Sequence, residues 1–117
     1  PPHCSALGKI MYAFEIIPVP SGRLERRTPY TLGSRKELMD NLAEVRERGY
    51  AIVHEEFEEG LDALAAPVFG LDGRVVAAVG ISGPTMRIAD HHETVGKLLV
   101  DEAGLLSRSL KRKVTHR

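Results

Sequence analysis

Apolar residues recur along this chain with two spacings, and the spacings predict its elements. Within residues 34–48, Leu38, Leu42 and Val45, with Met39 beside them, fall on one helical face. Ser34 and Glu37 stand at the spacing of a capping box, in which each side chain satisfies an orphan amide of the other's backbone. Gly49 should end that helix, because it enters the left-handed conformation without a Cβ clash. A second stripe, Val95, Leu99, Leu106 and Leu110 with Leu98 and Ala103 nearby, predicts a long helix over 90–113, where Asp90 and Glu93 repeat the cap spacing. Residues 7–14 read as a short apolar helix with Ser5 as its N-cap.

Residues 50–55 predict a strand. Residues 61–69 and 74–82 are two further β-type runs, joined by Gly70-Leu71-Asp72-Gly73, and Asp-Gly is a strong hairpin signal. The run 74–82 is apolar on both faces, which predicts a central strand covered on both sides and ended by Gly83-Pro84. Residues 16–22 form a loop broken by Pro18, Pro20 and Gly22. Residues 24–31 are polar and extended, an edge segment in which Pro29 cannot donate to a ladder. Helices covering a mainly antiparallel sheet make one α+β domain over residues 1–117.

Composition narrows the function classes. Aromatics are 5% with no Trp, so aliphatic side chains must supply the core. Sixteen Lys+Arg balance sixteen Asp+Glu, which argues against nucleic acid as a direct partner, since phosphate binding normally shows as a basic excess. The local excess at Lys111, Arg112 and Lys113 reads as a solvated helix end, where cations suit the macrodipole. A lone Cys4 allows no internal disulfide and fits a cytoplasmic protein. No apolar run approaches the ~18 residues of a membrane span, no signal-peptide pattern is present, and no membrane partner is expected. The opening Pro1-Pro2-His3, without Met, reads as a fragment or a trimmed chain.

Few constellations suggest chemistry. Glu55, Glu56, Glu58 and Glu59 bracket Phe57; paired carboxylates can do acid/base work, but this density reads as an exposed turn. His91 and His92 are adjacent, so their side chains diverge, and they lack the i,i+4 spacing of a helical metal pair. His3 and Cys4 offer a nucleophile with no evident orienting carboxylate. Gly80 and Ser82 share one face of their strand, a small gap and a hydroxyl that suit either core packing or a small ligand. No phosphate loop, dinucleotide fingerprint, nucleophile elbow or zinc-finger spacing occurs. No cofactor and no metal are expected.

Several segments together resemble one family. They are the run His3-Cys4-Ser5-Ala6-Leu7-Gly8-Lys9, the run Arg46-Glu47-Arg48-Gly49-Tyr50-Ala51, and the run Glu55-Glu56-Phe57-Glu58-Glu59-Gly60-Leu61. Leu64-Ala65-Ala66-Pro67-Val68-Phe69, leading into Val79-Gly80-Ile81-Ser82-Gly83-Pro84, continues the likeness. In this order they resemble the effector-binding domain of the IclR family, named for the isocitrate lyase regulator. The resemblance implies an antiparallel sheet flanked by helices, similar to GAF and PAS sensors, with the beginning of the domain missing. It also implies a winged helix-turn-helix elsewhere in the protein, a homodimer or homotetramer, and a small organic effector that changes affinity for promoter DNA. Another output for a GAF-like sensor is the nearest alternative. An enzyme using His3, Cys4 or the Glu55–Glu59 cluster is the alternative of a different class.

The resemblance also implies a pocket. Its helix start, whose amides face the effector, corresponds to Ser5, Ala6 and Leu7, a placement suited to an anion. Its remaining positions fall on Val53, Leu61, Ala63, Gly80 and Ser82. Val53, Ala63 and Gly80 stand where members that bind glyoxylate or pyruvate carry larger or more polar groups. The expected effector is therefore larger and more apolar, such as an aromatic acid with its carboxylate at the helix start and near Ser82.

Overall fold

The computed structural model describes residues 1–115, with side chains through residue 111. A single turn over Pro2–Cys4 leads into helix α1, Ala6–Ala13. Helix α2, Arg35–Arg48, is followed by strands β1 (Ala51–His54), β2 (Leu61–Phe69) and β3 (Val75–Pro84). A short helix α3 (Thr85–Ile88) and a tight turn over Ala89–His91 feed the long helix α4, His92–Thr115. The side chains of Arg112 and Lys113, named above for their charge, lie outside the described residues.

The two serine caps and the closing glycine act as expected. Ser5 Oγ accepts from the Gly8 amide at 2.8 Å, and Ser34 Oγ accepts from the Glu37 amide at 3.1 Å. The reciprocal half of the second cap is displaced by one residue, since Glu37 Oε2 accepts from the Gly33 amide instead. Gly49 closes α2 at φ 89°, in the left-handed region. Asp90 does not start α4 as a cap. Its neighbours Ala89 and His92 already have helical angles, so the chain enters α4 without the extended residue that capping needs.

The strands form one antiparallel sheet in the order β1-β2-β3. This corrects the expectation that residues 74–82 form a central, doubly covered strand. Two hairpins join consecutive strands, which places β2 in the middle. Leu64, Ala65, Ala66 and Val68 of β2 are buried, whereas Val76 and Ile81 of β3 are exposed at 59% and 46%. Apolar residues on both faces reflect hydrophobicity, not neighbours. The expected edge segment at 24–31 is not a strand either. Its amides at Arg27 and Thr28 turn inward to the Thr31 hydroxyl, an intraloop solution that leaves no ladder.

Alternation along β2 divides the core. Ala65 faces α1 and α2 with Ile10, Leu38, Leu42, Val45, Ala51 and Val53, while Ala63 packs at its margin. Leu64, Ala66 and Val68 face α3 and α4 with Tyr50, Ile88 and Ala103. The sheet thus has two faces, each with its own helices, and chemistry on one is separated from chemistry on the other by a backbone layer.

Candidate functional site

A cavity of about 400 Å³ lies on the α1 face of the sheet. Ser5, Ala6 and Leu7 supply its helix start, Val53 comes from β1, Leu61 and Ala63 from β2, and Gly80 and Ser82 from β3. All eight positions named from the sequence therefore meet at one cavity. Strand register explains the convergence: Val53 pairs with Ala63, and Ala63 pairs with Ser82, so these three form a row across the sheet. Ala65 pairs with Gly80 in the next row. Small side chains in adjacent rows leave the volume open. Cys4, Phe57, Leu64, Ala78 and Ile81 complete the lining and were not anticipated.

Polar groups in the cavity come from α1 and β3. Ser5 Oγ is already committed to the Gly8 amide, while the amides of Ala6 and Leu7 belong to the first turn, which a helix cannot satisfy internally. They are donors at the positive end of a helix dipole. Gly80 differs from the expectation of simple added room. A Cβ at this position would sit 3.0 Å from the Leu64 carbonyl oxygen, a tight approach, and in ordinary contact with Leu7 Cδ2 at 3.6 Å, so glycine here also relieves a close contact with the neighbouring strand. The Cys4 thiol is fully buried, and its pKa is raised from the ordinary 9.0 chiefly by that burial.

Lys9, one turn into α1, carries a fully buried charge. Its ammonium lies 2.8 Å from Glu56 Oε1 and donates to the Ile52 carbonyl at 2.9 Å. Burial holds its pKa below the usual lysine range, against the opposing pull of Glu56. The pair fixes α1 to β1 and so sets where the helix start stands. The acidic cluster is accordingly not one exposed turn: Glu56 is buried, while Glu58 and Glu59 are exposed. Glu55, at φ 53°, accepts from the Gly60 amide.

The nucleophile hypothesis gains no geometry. His3 Nε2 lies 2.6 Å from the Glu25 carbonyl oxygen, and the Cys4 thiol donates to the Pro1 carbonyl oxygen. Each group is engaged with backbone rather than with the other.

On the opposite face lies a second polar cluster that the sequence pattern did not reveal. Asp62, fully buried, accepts from the Thr85 hydroxyl at 2.6 Å. His54 Nδ1 lies 3.0 Å and His92 Nε2 lies 2.6 Å from the same oxygen, Asp62 Oδ2. The Asp62 hydrogen bond raises the His54 pKa. Burial alone would push Asp62 upward, but the hydrogen bonds from Thr85, His54 and His92 outweigh it and lower its pKa. His91 is exposed, as expected, but its neighbour His92 is not a free surface residue. Adjacent histidines do diverge; the partner came from a strand instead.

Comparison with known proteins settles the lineage. The family model described as "Bacterial transcriptional regulator IclR C-terminal" matches residues 1–108. The chain belongs to the IclR family. It is 39% identical over 116 residues to the HTH-type transcriptional regulator XynR of Escherichia coli K12, covering 94% of this chain and 46% of that protein. Its fold matches the repressor BlcR of Agrobacterium tumefaciens with a TM-score of 0.84 at 26% identity, covering 94% of this chain and 46% of that one. It also matches the inducer-binding domain of a double mutant of PobR from Acinetobacter, solved with 3-hydroxybenzoic acid. That match has a TM-score of 0.78 at 28% identity and covers 92% and 65% of the two chains. This chain therefore spans less than half the length of XynR and BlcR. The IclR relatives it matches are transcription regulators. No helix among the described residues is long and apolar enough to cross a membrane.

Proposed function

We propose that this IclR-family chain is the effector-sensing and oligomerisation part of a transcription regulator, and that Ser5, Ala6, Leu7, Val53, Leu61, Ala63, Gly80 and Ser82 contact the effector. The observation that carries this reading is the meeting of the start of α1 with a floor of small residues in one cavity of about 400 Å³. Free amides at a helix start suit a carboxylate. Val53, Ala63 and Gly80 bring neither a carboxylate nor a hydroxyl, so the rest of the ligand should be apolar. An aromatic acid meets both demands, and the PobR domain bound to 3-hydroxybenzoic acid offers a precedent in the same fold.

Promoter DNA is engaged by a winged helix-turn-helix outside this chain. The exposed apolar residues Leu98, Leu105 and Leu106 of α4 suit contact with a second copy. The effector acts by binding one quaternary state better than another, because only differential affinity shifts a population.

Calorimetry with 3-hydroxybenzoate, glyoxylate and pyruvate tests the reading. The aromatic acid should bind and release heat, and Ala63→Leu, which fills the cavity from the middle of its floor, should weaken it at least tenfold. Tight glyoxylate binding with an inert aromatic acid would refute the apolar-effector assignment. Chemical conversion of the bound acid, followed by mass spectrometry, would refute the sensor role.

A further inference from the structure

The cluster beneath the start of α4 joins three parts of the fold. Register sets His54 of β1 directly beside Asp62 of β2, and α4 opens with His92. The two imidazoles approach one carboxylate oxygen, at 3.0 Å and 2.6 Å, from different elements. One donor atom from each of the three residues falls within 4.8 Å of the other two. A tetrahedral zinc ion with bonds of about 2.0–2.2 Å sets its ligands about 3.3–3.5 Å apart, so small side-chain adjustments suffice.

We propose that His54, Asp62 and His92 form a binding site for a divalent transition metal, with zinc the best-matched ion. Two imidazoles and one carboxylate are a borderline donor set suited to zinc, and three protein ligands leave a fourth position for water or a small anion.

Three features favour an ion over a hydrogen-bonded triad alone. First, Asp62 is fully buried at a core position of β2, and its ion-pair partners among the described residues are the two histidines. A bound dication would compensate that buried charge directly. Second, an outer layer is in place. The Thr85 hydroxyl holds Asp62 Oδ1 and leaves Oδ2 to face the imidazoles. Glu55 Oε2 lies 3.5 Å from His54 Nε2, so a carboxylate stands beside the imidazole nitrogen that would not face the ion. Third, there is an entry path: the His54 and His92 side chains are 42% and 21% exposed.

Bound zinc would tie the first turn of α4 to β1 and β2. Neither Val53 nor Ala63 of the cavity takes part, since both point to the other face of the sheet, so the metal site stands or falls separately from the effector reading.

The test is zinc titration of the chelator-stripped protein in competition with a chromophoric chelator, without effector, followed by Co²⁺ substitution. One equivalent of zinc should bind at micromolar concentration or below, and Co²⁺ should give the intense visible bands of a tetrahedral site. His54→Gln and His92→Gln should each weaken zinc at least tenfold, whereas His91→Gln should leave it unchanged. Asp62→Asn alters a fully buried strand position and is expected to disturb folding, so the two partly exposed histidines carry the test, with circular dichroism confirming that both variants are folded. Zinc affinity weaker than 100 μM, or an affinity that neither histidine variant changes, overturns the proposal.

Discussion

Replacing Lys9 with Met tests whether the buried ion pair holds α1 against the sheet. Methionine keeps an unbranched apolar stem of similar reach and removes the ammonium. The lost interactions are a charged hydrogen bond to the Ile52 carbonyl, 2.9 Å long, and a 2.8 Å contact with Glu56. Breaking a buried pair by removing one partner costs roughly 3–5 kcal/mol, mostly because the other charge is stranded. Two facts place this case at the low end, near ~3 kcal/mol. Glu56 retains a hydrogen bond from the His54 amide and is 11% exposed, so its carboxylate is not fully orphaned. Burial also lowers the Lys9 pKa despite Glu56, which means that the charged lysine is itself under desolvation cost. The double variant Lys9→Met with Glu56→Gln strands no charge and should recover about half of the loss, ~1.5 kcal/mol. Urea unfolding at neutral pH, read at constant m-value, compares both variants with the unsubstituted protein. A Lys9→Met cost below ~1 kcal/mol, or no recovery in the double variant, would refute the claim that Glu56 needs this lysine.

Two glycines of α4 should respond to alanine with opposite signs. At Gly96 the new Cβ would lie 2.3 Å from a Tyr50 ring carbon, so overpacking should outweigh helix propensity and cost roughly 1–3 kcal/mol. At Gly104 the nearest atom is the mobile end of Arg108 at 3.4 Å, and alanine should stabilise by up to ~1 kcal/mol in thermal melts; equal shifts at both sites would contradict the tight Tyr50 contact. The raised Cys4 pKa means less thiolate than a free cysteine at any pH below its own value, so iodoacetamide should modify Cys4 more slowly than a model thiol at pH 8. Saturating aromatic acid should slow that reaction further, because Cys4 lines the cavity; modification as fast as that of the model thiol would argue against burial.

Local signals were legible because their partners lie within one helical turn. Ser5 meets Gly8, Ser34 meets Glu37, and Gly49 closes α2 without help from the tertiary fold. The cavity was legible in a different way. Period-2 alternation alone placed Gly80 and Ser82 on one face, but only the family likeness brought Ser5, Val53, Leu61 and Ala63 to them. At β3, apolar residues on both faces imitate a central strand, whereas the two short hairpins require β2 to be the middle one.

The charged residues in the core are harder to place from sequence. Lys9 bonds a carbonyl 43 residues away and Asp62 a histidine 30 residues away, and no window on the sequence spans such distances. Each nevertheless left a trace. Lys9 interrupts an otherwise apolar helix, and Asp62 shares its β2 parity with Leu64, Ala66 and Val68, so alternation assigns its carboxylate to the core. A charge at a core position is expensive unless paired, so its presence in the pattern already implies a partner of opposite charge or a metal. For Lys9 the implied partner is Glu56. For Asp62 the partners are two imidazoles, which are also metal ligands, and this difference is why zinc binding is the sharper question to ask of this cluster.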